Sequence, residues 1–112
     1  MANKARPRNI IIFEDGNGRE PFTKWLKNVK DRKARSRILQ RLRLVEQGHY
    51  GDVKSLGGGL FELRFFFGSG YRVYFGERQR NIIVLLLGGD KSGQARDIPK
   101  ARDYWVEYLK DE

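Results

Sequence analysis

The chain contains no cysteine, which excludes disulfide staples, thiolate zinc sites and thiol nucleophiles. It has one histidine, His49, so multi-histidine metal sites and most Ser-His or Cys-His catalytic arrangements are excluded as well. No apolar run approaches the roughly 18 residues that span a bilayer; the longest is residues 82–87. Residues 1–9 are polar and basic with no apolar signal-peptide core behind them, so a cytoplasmic location without a membrane partner is expected. Negative charge is scarce: 14 Asp and Glu face 23 Lys and Arg, a formal charge of +9. That excess points to polyanions, with nucleic acid first, an acidic protein next and anionic lipid last.

The 112 residues suffice for one domain, and a domain of this size removes roughly two-thirds of its unfolded surface from water. With 33% charged and 12% aromatic residues, the composition is that of a foldable basic domain. The reading is a flexible basic arm over 1–9, carrying Lys4, Arg6 and Arg8, and a single domain over 10–110.

Residues 10–14 read as a strand, followed by the turn cluster Asp15-Gly16-Asn17-Gly18. Pro21 suits a first helical position, and Phe22, Trp25, Leu26 and Val29 recur at the spacing of one buried helical face. Asp31 is the expected N-cap of a second helix running to about Gln47 and stopped by Gly48, with Ala34, Ile38, Leu42 and Val45 as its apolar stripe. After the glycine-rich loop 57–59, residues 60–67 alternate, so Phe61, Leu63, Phe65 and Phe67 share one face and Glu62, Arg64 and Phe66 the other. Gly68-Ser69-Gly70 reads as a three-residue hairpin loop, residues 71–77 as the return strand, and residues 81–87 as a strand covered on both faces and ended by Gly88-Gly89. The remainder to about Lys110 is helical, with Ile98, Ala101, Trp105 and Leu109 on one side and Pro99 starting or kinking it. Phe22, Trp25, Ile38, Leu42, Trp105 and Leu109 are assigned to the core. The order β-α-α-β-β-β-α is an α+β domain, a three-strand antiparallel meander packed on a helical pair.

Strand pairing brings the charges together. With Phe67 opposite Tyr71, Arg64 and Arg72 become diagonal neighbours about 7–8 Å apart on one face. Pairing Glu77 with Asn81 places residues 88–91 at the same sheet end. Arg64, Arg72 and Lys91 then cluster around Tyr74 and Phe66, and Lys54 joins from the preceding loop. Unpaired, such cations repel, whereas guanidinium groups match phosphate oxygens and aromatic faces suit an unstacked base. The competing reading is that these arginines pair with Glu62, Glu77 and Asp90. Arg32, Lys33, Arg35, Arg37, Arg41 and Arg43 read as a solvated helix face that steers polyanions. His49 is assigned to a surface loop, and the triple glycine is no phosphate loop because a strand, not Gly-Lys-Ser/Thr, follows it. Val84 and Leu86 share the arginine face, so the last helix or a partner segment must cover them.

The combination Trp25-Leu26, residues 35–42, Gly51-Asp52-Val53-Lys54, Glu62-Leu63-Arg64, Gly70-Tyr71-Arg72-Val73-Tyr74 and Gly88-Gly89-Asp90-Lys91-Ser92 resembles the RelE/ParE toxin superfamily. Within it, the chain is most similar to the phage-derived Gp49-like, HigB-type addiction module killer group. The resemblance covers roughly residues 10–110 and implies a RelE-like fold. It also implies a toxin of a type II toxin–antitoxin pair, neutralised by a cognate antitoxin, often of helix-turn-helix type. Many such toxins cleave mRNA on the ribosome without a metal or other cofactor. The resemblance carries a family arginine onto Arg64, family basic positions onto Lys91 and Lys54, and a Gly-Tyr-Arg motif onto Arg72. Arg64, Arg72 and Lys91 are the expected catalytic cations, and the mechanism they suggest takes Asp90 as proton acceptor. Lys54 and, from the charge and aromatic pattern, Tyr74, Arg37 and Arg41 are the expected RNA contacts. RelE-type members carry a tyrosine six residues beyond the basic position, where this chain has Asp97; Tyr104 and Tyr108 are the tyrosines offered instead. A ParE-like gyrase poison and a non-enzymatic nucleic-acid binder are the alternative readings. An acidic or amphipathic antitoxin segment is expected near Arg64 and Arg72.

Overall fold

The alternating segments and the single uninterrupted apolar run come together in a five-stranded sheet covered on both faces. The computed structural model describes residues 7–111. Its elements are β1 (Asn9–Ile12), α1 (Pro21–Lys27), α2 (Arg32–Glu46), β2 (Val53–Gly57), β3 (Leu60–Arg64), β4 (Tyr71–Arg78), β5 (Ile82–Asp90), a 3-10 turn (Lys91–Gly93) and α3 (Gln94–Lys110). The sheet order is β1-β5-β4-β3-β2; β2 to β5 form an antiparallel meander and β1 joins β5 in parallel. The fold is α+β, with one strand more than the sequence pattern announces. Residues 53–57, expected as loop, form the edge strand β2, and the three glycines, all at positive φ, turn it into β3. An edge strand with one solvated side needs little apolar alternation, so Val53-Lys54-Ser55-Leu56 reads weakly.

The helical starts follow local chemistry. Pro21 opens α1, where a missing N–H costs nothing. The Asp31 carboxylate accepts from the backbone N–H groups of Lys33 and Ala34 and caps α2, while Gly48 at φ 90° ends it. Ile38, Leu42 and Val45 of α2 pack with Phe22 of α1 on Leu63, Val73, Phe75, Ile83 and Leu85 of the sheet and on Phe65 just past β3, and Ala34 of the same stripe is buried too. The opposite sheet face buries Leu60, Tyr74, Val84, Leu86 and Leu87 beneath Ala101 and Trp105 of α3. The last helix, not a partner segment, therefore covers Val84 and Leu86. Leu109, expected in the core, is exposed, and Trp25 is half-buried.

Arg8 and Asn9 are part of the domain rather than of an arm; residues 1–6, including Lys4 and Arg6, lie outside the described residues. Asn9 opens β1, and Arg8 donates from its backbone to the Glu46 carbonyl and from Nε to the Tyr50 hydroxyl. Among the described residues no helix is long and apolar enough to cross a membrane.

Two register features position the charged face. β3 and β4 pair two residues out from the simple expectation, with Arg64 directly opposite Arg72 and a longer connection over residues 65–70. An even shift leaves every side chain on its face, so the arginines remain together. Between Tyr74 and Phe75 the β4–β5 register slips by one residue, and both Leu86 and Leu87 turn into the α3 core. Beyond that bulge β5 continues through Gly88 and Gly89 to Asp90 instead of ending at the glycines.

Candidate functional site

At the Asp90 end of the sheet, on the face covered by α3, two rows of cross-strand neighbours are charged. Lys54, Glu62, Tyr74 and Leu87 form one row across β2 to β5; Arg64, Arg72 and Gly89 form the next. Two arginines directly opposite one another repel, and Glu62 relieves that repulsion. Its carboxylate is fully buried, with Oε1 3.4 Å from Arg64 Nε and Oε2 3.8 Å from Arg72 Nε. Gln94, at the start of α3, donates from Nε2 to Oε2 at 2.5 Å. One carboxylate thus forms ion pairs with two guanidinium groups and balances the charge of only one of them. Arg72 is further fixed by Nη1 donating to the Gly70 and Tyr71 carbonyls, whereas Arg64 keeps about a third of its side chain in solvent.

Lys91 follows directly. A Cβ placed on Gly70 would lie 3.2 Å from Lys91 Cβ and 3.7 Å from Arg72 Nη1, so the lysine stem and the guanidinium flank the same glycine. Lys54 lies opposite Glu62 on β2 with its side chain exposed. Four cations therefore gather at a single sheet end, two of them against one buried carboxylate, an arrangement suited to an incoming phosphate.

Other expected residues have different work. Asp90 caps the 3-10 turn: its Oδ1 accepts from Ser92 Oγ at 2.7 Å and from the N–H groups of Ser92 and Gly93. The Ser92 hydroxyl bond above all holds its carboxyl below the usual range, which makes it a weak proton acceptor. Tyr74 has no accessible surface and cannot offer its ring to RNA. Burial first, and then the charge of Glu62, push its hydroxyl far above the ordinary phenol range. Arg41 is on the opposite sheet face, where Nε and Nη2 donate to the Tyr50 carbonyl, Nη1 to that of Arg64 and Nη2 to that of Asp52. It fastens the entry to β2 rather than presenting charge to a ligand. Arg37 stays exposed, its guanidinium 4.8 Å from the centroid of the Phe67 ring. Of the carboxylates expected as arginine partners, only Glu62 serves Arg64 and Arg72; Glu77 pairs with Arg8.

The C-terminal tyrosines are engaged elsewhere. Tyr104 packs on Phe13 and Tyr108 stacks on Trp105, and Tyr104 is about 15 Å along α3 from Gln94 by helical rise. A cleft of about 740 Å³ between the β1–α1 connection and α3 contains Trp25 and Tyr104 but none of the clustered cations. His49 is exposed just past α2.

Sequence reasoning missed Gln94 and the central position of Glu62. The second was signalled by Glu62 alternating onto the arginine face two residues before Arg64; the first depends on where α3 lands. Asp97, where the resemblance led to the expectation of a tyrosine, is buried and pairs with Arg96 at 3.4 Å. A Cβ on Gly89 would stand 2.2 Å from its Oδ2, so that glycine makes room for the carboxylate.

A family model described as phage-derived protein Gp49-like matches residues 24–104. A protein of Haemophilus influenzae that carries only the description "uncharacterized protein" is 42% identical over 81 residues, covering 72% of this chain and 82% of the relative.

Proposed function

The chain belongs to the phage-derived Gp49-like family, a RelE/HigB-type toxin family, and from that premise we propose that it is a ribosome-dependent mRNA endonuclease that stops translation. Membership implies a toxin of a toxin–antitoxin pair and hence an antitoxin partner; a helix-turn-helix antitoxin with an acidic segment is part of the proposal. The observation that carries it is the Arg64–Glu62–Arg72 triad with Lys91 and Lys54 beside it.

In the proposed reaction the ribose 2′-hydroxyl attacks its adjacent phosphorus. The bond from phosphorus to O2′ forms as the bond to O5′ breaks, leaving a 2′,3′-cyclic phosphate and a free 5′-hydroxyl. The 2′ proton passes to solvent or to a neighbouring phosphate oxygen, and the departing O5′ takes up a proton. Charge grows on the non-bridging oxygens during this step, and Arg64 and Arg72 are the groups suited to hold it. A preorganised donor of this kind is worth about 3–4 kcal/mol in comparable oxyanion sites. Lys91 or Lys54 supports the leaving oxygen. Asp90, tied into its cap, has no proton-acceptor role in this scheme. With no strong base assigned, in-line positioning of the message by the ribosome supplies the remainder, an effect able to contribute several kcal/mol.

The test incubates purified protein with translating ribosomes and maps mRNA 5′ ends. Discrete new ends are expected, and Arg64→Ala should lower the cleavage rate by about 10²–10³. Intact messages beside an active control overturn the proposal. Gyrase-bound DNA breaks with whole messages would identify a ParE-like poison, and salt-dependent RNA binding without product a plain binder.

A further inference from the structure

Phe66 is 86% exposed, far beyond the next large apolar side chain, Leu44 at 47%. It sits in the β3–β4 connection, two residues after Arg64, and the far end of that connection is Gly70, against which Lys91 and Arg72 pack. On its other side the connection faces α2 across a groove of about 430 Å³, lined by Phe66, Phe67, Leu44, Arg37 and Gln40 among others. The groove is positive: Arg37 and Arg41 are among its lining residues and no carboxylate is. Aromatic rings and guanidinium planes already alternate there: Arg37 lies over Phe67 and Arg41 over Phe65, each less than 5 Å from the ring centroid.

We propose that Phe66 is a stacking platform for one unpaired RNA base flanking the bond held at Arg64 and Arg72, with the strand continuing over the groove towards α2. This inference rests on the nuclease reading. An exposed ring by itself suits either a protein or a base. The cationic surroundings choose a polyanion, and the interleaving of aromatic faces with arginines is the arrangement that binds unpaired bases irrespective of sequence. Gln40 adds an amide at the groove able both to donate to and accept from a base edge.

The experiment uses the full chain and a short single-stranded RNA, 2′-O-methylated so that it cannot be cut, alongside inorganic polyphosphate as a base-free polyanion. In Phe66→Trp the new indole should be quenched by the RNA and not by polyphosphate. Phe66→Ala should weaken RNA affinity by about 5- to 100-fold while leaving polyphosphate affinity unchanged. Equal RNA affinities for wild type and Phe66→Ala, a reporter silent to RNA both free and on message-loaded ribosomes, or loss of antitoxin affinity alone in Phe66→Ala, overturns it. Because the ligand cannot be cleaved, quenching with intact messages would sink the nuclease reading and keep the stacking site. Cleavage with unchanged cut sites and rates in Phe66→Ala would do the reverse.

Discussion

The arginine pair is tolerable only because a carboxylate is buried between its members. Glu62 is fully desolvated; Oε2 accepts from Gln94 and lies 3.8 Å from Arg72 Nε, while Oε1 has no hydrogen bond and is held only by the ion pair to Arg64 at 3.4 Å. Removing one partner of a buried pair leaves the others uncompensated, so Glu62→Ala should cost about 3–5 kcal/mol in urea unfolding. Glu62→Gln should cost less, because it retains hydrogen bonding while losing the charge. Asp90 offers a second test. As a cap, it should lose about 1 kcal/mol on substitution by Ala and almost nothing on substitution by Asn, which caps equally well. Asp90→Asn should therefore cleave normally, whereas a proton acceptor at this position would make it inert. Its folded pKa is depressed, so its stabilisation is present above the unfolded value and fades as pH falls through the folded one. Amide exchange at Ser92 and Gly93 should accelerate on acidification, and Asp90→Asn should abolish that response. The cations themselves were legible in the sequence because strand alternation assigns faces. Gln94 was not, since nothing local says which turn of α3 meets the sheet.

Among the elements, the ends of strands were harder to read than their middles. Residues 83–87 announced their burial by being apolar throughout, and all are buried. Gly88-Gly89 looked like a terminator because glycine usually interrupts a strand, yet here each glycine removes a side chain that another element needs gone. A Cβ on Gly88 would fall 2.0 Å from the Trp25 ring, and an indole flanked by Phe22 and Tyr71 has little room to yield. Gly88→Ala should thus destabilise the fold by about 1–3 kcal/mol, with Trp25 fluorescence changing in the folded state. Because β5 leads straight into the turn carrying Lys91, the same substitution should lower cleavage more than a remote change of equal energetic cost. The edge strand β2 escaped notice for the opposite reason: half-solvated and short, it carries too little pattern to distinguish it from a loop.

Over the whole molecule, a formal charge of +9 sets how association responds to salt. Two of the positive surfaces, the sheet end with Lys54, Arg64, Arg72 and Lys91 and the outer side of α2, are joined by the connection that carries Phe66. A polyanion crossing both displaces counterions from each, so its affinity should fall steeply and linearly in log–log form with salt, with a slope of about −0.7 per phosphate neutralised on a single strand. Lys91→Ala should make that slope shallower by about 0.7, and Arg37→Gln should do the same if the strand reaches α2. Phe66→Ala should instead lower affinity at every salt concentration without altering the slope, because stacking releases no counterions. Titrating the three variants against single-stranded RNA over a range of salt therefore separates charge from stacking on one plot. Parallel lines for Lys91→Ala and wild type would mean that Lys91 touches no phosphate, and the support of the leaving oxygen would pass to Lys54. Parallel lines for Arg64→Ala as well would remove the reacting phosphate from the sheet end.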